Sequence, residues 1–136
     1  MNIHEYQAKE ILAEYGVKMA EGGLAYSVEE AVQRAREIDG DVWVVKAQIH
    51  SGARGKAGGI KVCKSHAEVE KAAEELLGRK LVTHQTGSSG KVCSRLYIEA
   101  GTQIAKEIYL SFLIDRVSER IIMIGSAQGG MEIEKL

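Results

Sequence analysis

The chain has 136 residues, of which 45% are hydrophobic and 27% are charged, and these proportions are typical of one globular domain. Its 18 Lys and Arg residues against 19 Asp and Glu give a net charge of −1, which excludes binding of nucleic acid through a large basic excess. The sequence shows neither an apolar run of about 18 residues nor a signal-peptide pattern, so we expect no membrane partner. Its two cysteines, Cys63 and Cys93, are predicted to be free thiols in a reducing compartment.

Three helices are predicted, and each carries a capping box at its start, apolar residues at helical spacing and a glycine at its end. The apolar positions run from 3 to 15, from 31 to 38 and from 69 to 77. The capping boxes are Asn2 with Glu5, Ser27 with Glu30, and Ser65 with Glu68, and the terminating glycines are Gly16, Gly40 and Gly78.

Seven strands are predicted from apolar runs between turn signals. They cover residues 24–26, 42–49, 60–63, 80–83, 97–100, 108–114 and 121–124, and the last two form a hairpin around a polar turn at 116–119. The run 42–49 is apolar on both faces, as in a buried strand. Helices alternate with strands only in the first half of the chain, so the order predicts an α+β fold rather than a Rossmann-type parallel sheet.

Lys46 lies inside the apolar run 42–49, where a charged group needs either solvent or an anion. A lysine at a sheet edge reaches solvent through its long stem, and this interpretation is favoured when the strand is considered alone. The alternative is that the ammonium group meets an anion.

Residues 51–59 (SGARGKAGG) combine four glycines with Arg54 and Lys56 between two predicted strands. Glycines allow backbone N–H groups to approach an anion closely, and the two cations add charge. The loop is not a Walker A motif, because neither Ser nor Thr follows Lys56 and no helix starts there. It is predicted to be a hairpin flap over a phosphate chain, with a mobile surface hairpin as the alternative.

Two carboxylates flank the turn between the later strands. Glu99 ends one strand, the segment 100–102 offers backbone groups, and Glu107 begins the next strand. Such acids are suited to an amino group and to hydroxyls, although solvated surface acids are the simpler explanation. The histidines have no partners at the spacing of metal ligands, so no metal site is predicted in this chain.

Five segments resemble the β subunit of succinate–CoA ligases (succinyl-CoA synthetases). They are residues 1–9 (MNIHEYQAK), 44–59 (VVKAQIHSGARGKAGG), 78–83, 104–110 and 129–134. The resemblance extends over the whole chain without a large gap, and it is therefore more specific than any single motif. Two departures are Ala53, where many relatives have glycine, and the proline-free segment 16–20. Alanine at position 53 is strained if that position needs a positive φ.

The resemblance implies an ATP-grasp fold, in which the nucleotide lies between a small lobe (roughly residues 20–102) and a larger one that begins in this chain. It implies that Lys46 contacts the phosphates and that the segment Ala53, Arg54 and Gly55 covers them. Glu99 and the backbone near Thr102 would hold the base, and Glu107 would hold the ribose. It implies no catalytic residue and no metal ligand within these 136 residues.

The family reaction forms succinyl-CoA from succinate, CoA and ATP or GTP through a phosphohistidine on the α subunit, in the tricarboxylic acid cycle. The resemblance implies an α-subunit partner in a heterodimer or heterotetramer, Mg²⁺ ligands beyond Leu136, and a cytoplasmic location, or the mitochondrial matrix if the protein is organellar. We expect the chain to be a fragment that is inactive alone. Alternatives are a malate–CoA ligase β subunit and a non-catalytic nucleotide- or anion-binding module.

Overall fold

The computed structural model describes residues 2–130, and the chain divides into two units, Met1–Thr102 and Gln103–Leu136. In its described part the first unit has the helices α1 (Glu5–Glu14), α2 (Val28–Glu37) and α3 (His66–Leu76). Its strands are β1 (Gly22–Ala25), β2 (Trp43–Ala47), β3 (Ile60–Cys63), β4 (Lys80–Leu81), β5 (Lys91–Val92) and β6 (Leu96–Ala100). The second unit has β7 (Tyr109–Asp115) and β8 (Arg120–Ser126).

The main sheet has the strand order β1-β6-β2-β3, and every neighbouring pair is antiparallel. Helix α2 packs against β1 and β6, and α3 packs against β2 and β3. An antiparallel sheet with helices on one face is an α+β arrangement, which confirms the predicted class. The second sheet of this unit is the short pair β4 and β5.

The core lies between this sheet and the two helices. Val45 of β2, Leu96 and Ile98 of β6, and Val69 and Leu76 of α3 are completely buried. Because successive strand residues point to opposite faces, the burial of these alternate positions leaves the intervening ones on the other face of the sheet. That second face carries the residues of the candidate site.

Two of the predicted capping boxes are confirmed in their central hydrogen bond. The Ser27 and Ser65 hydroxyls each accept from the backbone N–H three residues later, at 3.1 Å in both helices. The prediction for the first helix is wrong in its cap: α1 begins at Glu5, with His4 as the N-cap and Gln7 accepting from the His4 N–H at 2.8 Å. The cap is therefore two residues later than Asn2, and the Glu5 side chain is directed elsewhere.

The strand predictions are correct in position and less exact at their ends. The strand β3 matches 60–63, whereas β2 ends at Ala47 rather than at residue 49. The predicted strand 80–83 is shorter, and its partner β5 was not predicted, because two residues are too few to show a period. Gly78 has φ of 80° and ends α3, as its position predicted.

The second unit is the predicted hairpin. Tyr109 pairs with Ser126 and Asp115 with Arg120, and the Asp115 carboxylate accepts from the N–H groups of Val117 and Ser118 at 3.1 and 3.2 Å. An aspartate that bonds the backbone two and three residues later is a standard turn initiator.

Candidate functional site

The face of the main sheet opposite α2 and α3 carries Lys46 of β2 and Glu99 of β6. The register pairs Lys46 with Tyr97 and Val44 with Glu99, so Lys46 and Glu99 are diagonal neighbours on this face. Helix α1 contributes Glu5 and Lys9 to the same group. Residues four apart share one face of a helix, which is why both side chains reach the sheet.

Lys46 meets an anion. Its Nζ lies 2.5 Å from Glu99 Oε2 and 3.7 Å from Glu5 Oε1, and its side chain is only 18% exposed. The other Glu99 oxygen pairs with the Lys9 ammonium group. The interpretation of Lys46 as an edge lysine reaching solvent is therefore wrong, since β2 lies between β6 and β3 and places the side chain beneath α1 residues.

The glycine-rich connection between β2 and β3 folds back on itself. Its turn is closed by three backbone hydrogen bonds, from Ala57 to Ala53, from Gly58 to Gly55 and from Gly59 to Arg54, at 3.3, 3.2 and 2.8 Å. A Cβ on Gly59 would lie 3.2 Å from the Arg54 carbonyl oxygen, so glycine makes this close approach possible. Ala53 has φ of 56°, the strained conformation that the sequence analysis considered at this position.

Three consecutive N–H groups of this turn are open, in the sense that the described part of the protein supplies no acceptor for them. Within residues 2–130, the backbone N–H groups of Ala53, Arg54 and Gly55 donate no hydrogen bond to the protein. Successive N–H groups in a turn with one left-handed residue form a concave site for anions. The donor set of the loop therefore fits phosphate oxygens.

The Arg54 side chain is used by the protein itself. Its Nη1 donates to the Ala47 carbonyl at 2.8 Å, and its Nη2 lies 2.5 Å from Glu5 Oε2. The side chain is 13% exposed. Arg54 thus ties the loop to the end of β2 and to the start of α1.

The Glu5 carboxylate is held ionised by its neighbours. Burial opposes the charge, but the nearby Arg54, Lys46 and Lys9 and the hydrogen bond from Arg54 outweigh burial, so the pKa of Glu5 lies below its usual value. Three cations (Lys9, Lys46 and Arg54) surround two carboxylates (Glu5 and Glu99), and this group of five carries one excess positive charge. We call these five residues the charge cluster.

A pair of histidines borders the cluster. The rings of His4 and His50 stack with centroids 4.0 Å apart. His50 lines an open cavity of about 410 Å³ together with Ser51, Gly52 and Arg54. Burial, the charge of His50 and the charges of Arg95 and Arg54 all lower the pKa of His4. The hydrogen bond with the Ile49 backbone acts in the opposite direction but does not outweigh these causes, so the pKa of His4 lies below its ordinary value.

Acidification should destabilise the first unit through His4. The folded pKa lies below the ordinary 6.5, so the unfolded chain binds more protons as the pH falls through that value, and stability is lost in this window. We expect the thermal midpoint of His4→Asn to depend less on pH between about pH 7 and pH 5 than that of the wild type. An unchanged slope in His4→Asn would contradict this assignment.

The remaining predicted residues lie near the boundary of the two units. Glu99 is 7% exposed, and Thr102, which ends the first unit, is exposed. Glu107 is exposed in the second unit, two residues before β7 rather than at its start, and its carbonyl accepts from the Gly129 N–H at 3.1 Å. Within the first unit, the structure thus brings together Lys46, Arg54 and Glu99.

Sequence reasoning missed Glu5 and Lys9. The sequence places Glu5 in a predicted helix cap and gives no signal that assigns a role to Lys9. Their four-residue spacing was the available signal, but it does not identify which partners they meet. The contacts join residues 49 and 90 positions apart, beyond any local pattern.

The described part of the chain contains no group of three or more His, Cys, Asp or Glu side chains arranged to hold a metal ion. In residues 2–130, no helix is both long and apolar enough to cross a membrane. Both described cysteines are free and buried, and burial raises the pKa of each thiol.

The first unit thus combines an antiparallel sheet that presents Lys46 with a glycine-rich turn whose N–H donors suit an anion, in a fold of mixed helix and sheet. The sequence model of the ATP-grasp domain matches residues 2–136, and the chain belongs to this family. The match confirms the ATP-grasp fold that the resemblance implies. The last of the five resembling segments extends into residues 131–134, outside the described range.

Curated relatives match the whole chain. It is 61% identical to a probable malate–CoA ligase subunit β of Mesorhizobium japonicum. It is 58% identical to the succinate–CoA ligase [ADP-forming] subunit β of Parvibaculum lavamentivorans and 57% identical to that of Staphylococcus haemolyticus. The chain spans only 34–35% of the length of these proteins.

Solved structures support the fold. A dinucleotide-forming acetyl-coenzyme A synthetase 1 of Ca. Korarchaeum cryptofilum, in complex with coenzyme A, Ca-AMPCP and HgCl+, matches with a TM-score of 0.73 and 24% identity, over 98% of this chain and 56% of that one. The ATP citrate lyase of Methanothrix soehngenii, in complex with citrate and coenzyme A, matches with a TM-score of 0.68 and 22% identity, over 95% of this chain and 32% of that one.

Proposed function

We propose that the chain is the nucleotide-binding part of the β subunit of a succinate–CoA ligase, which forms succinyl-CoA from succinate, CoA and a nucleoside triphosphate. The observation that carries the proposal is the combination of Lys46 on the sheet face with three open N–H groups at residues 53–55. Identities of 57–58% to succinate–CoA ligase β subunits support the choice of reaction.

The residue roles follow from charge and donor geometry. Lys46 and the N–H groups of Ala53, Arg54 and Gly55 bind the phosphates, because they supply one cation and three hydrogen-bond donors. The resemblance assigns Glu99 and the backbone near Thr102 to the base and Glu107 to the ribose hydroxyls. We keep Thr102 and Glu107 in these roles, whereas the pairing of Glu99 with Lys9 and Lys46 favours an indirect role for Glu99. A carboxylate accepts hydrogen bonds only, and hydroxyls and amino groups are the donors that it suits.

Phosphoryl transfer depends on positioning and neutralisation of charge more than on covalent help from this lobe. The charge cluster with its excess positive charge supplies part of that neutralisation. Bound Mg²⁺ would supply more, and we propose that its ligands lie beyond Leu136. The phosphohistidine is proposed for an α subunit, with the complete enzyme in the cytoplasm as part of the tricarboxylic acid cycle.

The decisive experiment assays the complete protein that carries this chain, together with its α subunit, for acyl-CoA formation. ATP-dependent formation of succinyl-CoA supports the proposal. Turnover of malate in place of succinate would instead indicate a malate–CoA ligase, the activity named for the relative at 61% identity. Nucleotide binding without turnover of either acid would indicate a non-catalytic binding module.

Replacing Glu107 by alanine in that protein should raise the KM for ATP and for GTP alike, because both nucleotides carry the same ribose. One lost hydrogen bond to a charged group corresponds to about 1.5–3 kcal/mol, so the rise should be about tenfold or more. Glu74→Ala, on the exposed side of α3, is the control and should leave both constants unchanged. A change in only the ratio of the two constants would assign Glu107 to the base instead.

A further inference from the structure

The loop that offers the open N–H groups is fixed by a helix far from it in sequence. The Glu5 carboxylate, at the first residue of α1, contacts Arg54 through Oε2 at 2.5 Å and faces Lys46 through Oε1 at 3.7 Å. The Arg54 guanidinium also donates to the Ala47 carbonyl at 2.8 Å. The Arg54 side chain is therefore bonded to α1 and to the end of β2 at the same time.

The Arg54 backbone is also linked to the end of β2, through Gly59. Its carbonyl accepts from the Gly59 N–H at 2.8 Å, and the Gly59 carbonyl accepts from the Ala47 N–H at 2.8 Å. The position of Arg54 thus determines how the turn 53–58 sits at the end of β2. The open N–H groups of residues 53–55 belong to this turn, so their direction depends on where Arg54 is held.

We propose that Glu5 is a positioning residue of the nucleotide site: it holds Arg54, and through Arg54 it keeps the N–H groups of residues 53–55 in place beside the strand that carries Lys46. This inference rests on the proposed nucleotide function. The alternative is that the Glu5 carboxylate occupies the position of a phosphate group, in which case a bound nucleotide would have to displace it. Lys46 has a nearer carboxylate in Glu99, at 2.5 Å. The Arg54 side chain is only 13% exposed and is bonded to Glu5 and to the Ala47 carbonyl.

The test uses Glu5→Gln in the complete protein, with Glu10→Gln on the exposed side of α1 as the matched control. The first measurement is limited trypsin digestion without nucleotide, followed by mass spectrometry of cleavage after Arg54 and Lys56. Native proteolysis reports the population of the opened loop when opening is fast. Loss of one charge-assisted contact should raise this cleavage rate about tenfold or more, while the control behaves as the wild type.

The second measurement is the dissociation constant for ATP, which should rise about tenfold in Glu5→Gln while kcat changes little. Glu5→Asp keeps the carboxylate, so its cleavage rate and its dissociation constant for ATP should lie between those of the wild type and Glu5→Gln. If Glu5→Gln does not fold, Glu5→Asp is the test, and it should show faster cleavage and weaker ATP binding than the wild type.

Unchanged cleavage would overturn the proposal, as would tighter ATP binding, which would make Glu5 a competitor of phosphate. Faster cleavage with unchanged ATP affinity would overturn the positioning role, although it would still show that the contact between Glu5 and Arg54 holds the loop. If the wild type binds no nucleotide, the proposed function fails and the positioning role fails with it. The cleavage assay then still reports separately whether Glu5 holds the loop.

Discussion

Replacing Lys46 by methionine in the complete protein is expected to weaken ATP binding by about tenfold to a hundredfold. Each charge-assisted contact to a phosphate is worth about 1.5–3 kcal/mol, and about 1.4 kcal/mol corresponds to a factor of ten. Methionine retains the apolar stem beneath α1 and removes only the charge. The fold should survive, because Glu99 keeps its pair with Lys9. Isothermal titration calorimetry with ATP measures the loss directly.

Lys61→Met is the matched control. Lys61 lies on the neighbouring strand β3, its side chain is 35% exposed, and its partner Glu75 lies 3.6 Å away on α3. The same chemical change outside the charge cluster should leave ATP affinity at the wild-type value. If Lys46→Met also binds ATP normally, Lys46 serves the scaffold alone, as the partner of Glu99.

Much of the first unit was predictable because its signals are local. Ser27 and Ser65 each bond the N–H group three residues later, and this interaction needs no information from the rest of the chain. The hairpin of the second unit was equally accessible, since Asp115 organises its own turn. The α+β class followed from the order of the elements. In each case the deciding contacts lie within a few residues.

The candidate site was only half predictable, because its contacts are distant in sequence. Lys46 attracted attention as a charge in an apolar strand, but its partner Glu99 depends on the pairing of β2 with β6. Sequence alone also does not show that α1 reaches this face. The roles of Glu5 and Lys9 therefore emerged only from the tertiary structure, whereas the loop was identified from the sequence by its four glycines together with Arg54 and Lys56.

The contacts of Glu99 with Lys9 and Lys46 change the role that we expect of Glu99 in nucleotide binding. Its sequence-based role was to select the base, yet one carboxylate oxygen pairs with Lys9 and the other lies 2.5 Å from Lys46. A base amino group would have to share these oxygens with two ammonium groups. We therefore expect Glu99 to act on the nucleotide mainly through the position of Lys46, and variants of Glu99 test this against a direct contact with the base.

Glu99→Gln should destabilise the first unit by about 2–3 kcal/mol. Removing one partner of a fully buried ion pair costs roughly 3–5 kcal/mol. The cost here is smaller because the Lys9 and Lys46 side chains remain 20% and 18% exposed and keep some contact with water. Hydrogen exchange of peptides covering β2 and β6 in the complete protein reports this local opening. Glu75→Gln, which breaks only a surface pair, should leave exchange unchanged.

The nucleotide preference of Glu99→Gln separates the two roles. If Glu99 acts by holding Lys46, the affinities for ATP and GTP fall together, since the phosphates are identical in both. If Glu99 contacts the base, the ratio of the two affinities changes, because adenine presents an amino group where guanine presents a carbonyl oxygen. Parallel losses with faster exchange in β2 and β6 are the expected result. A changed ratio with unaltered exchange would restore the base-reading role and remove Glu99 from the support of Lys46.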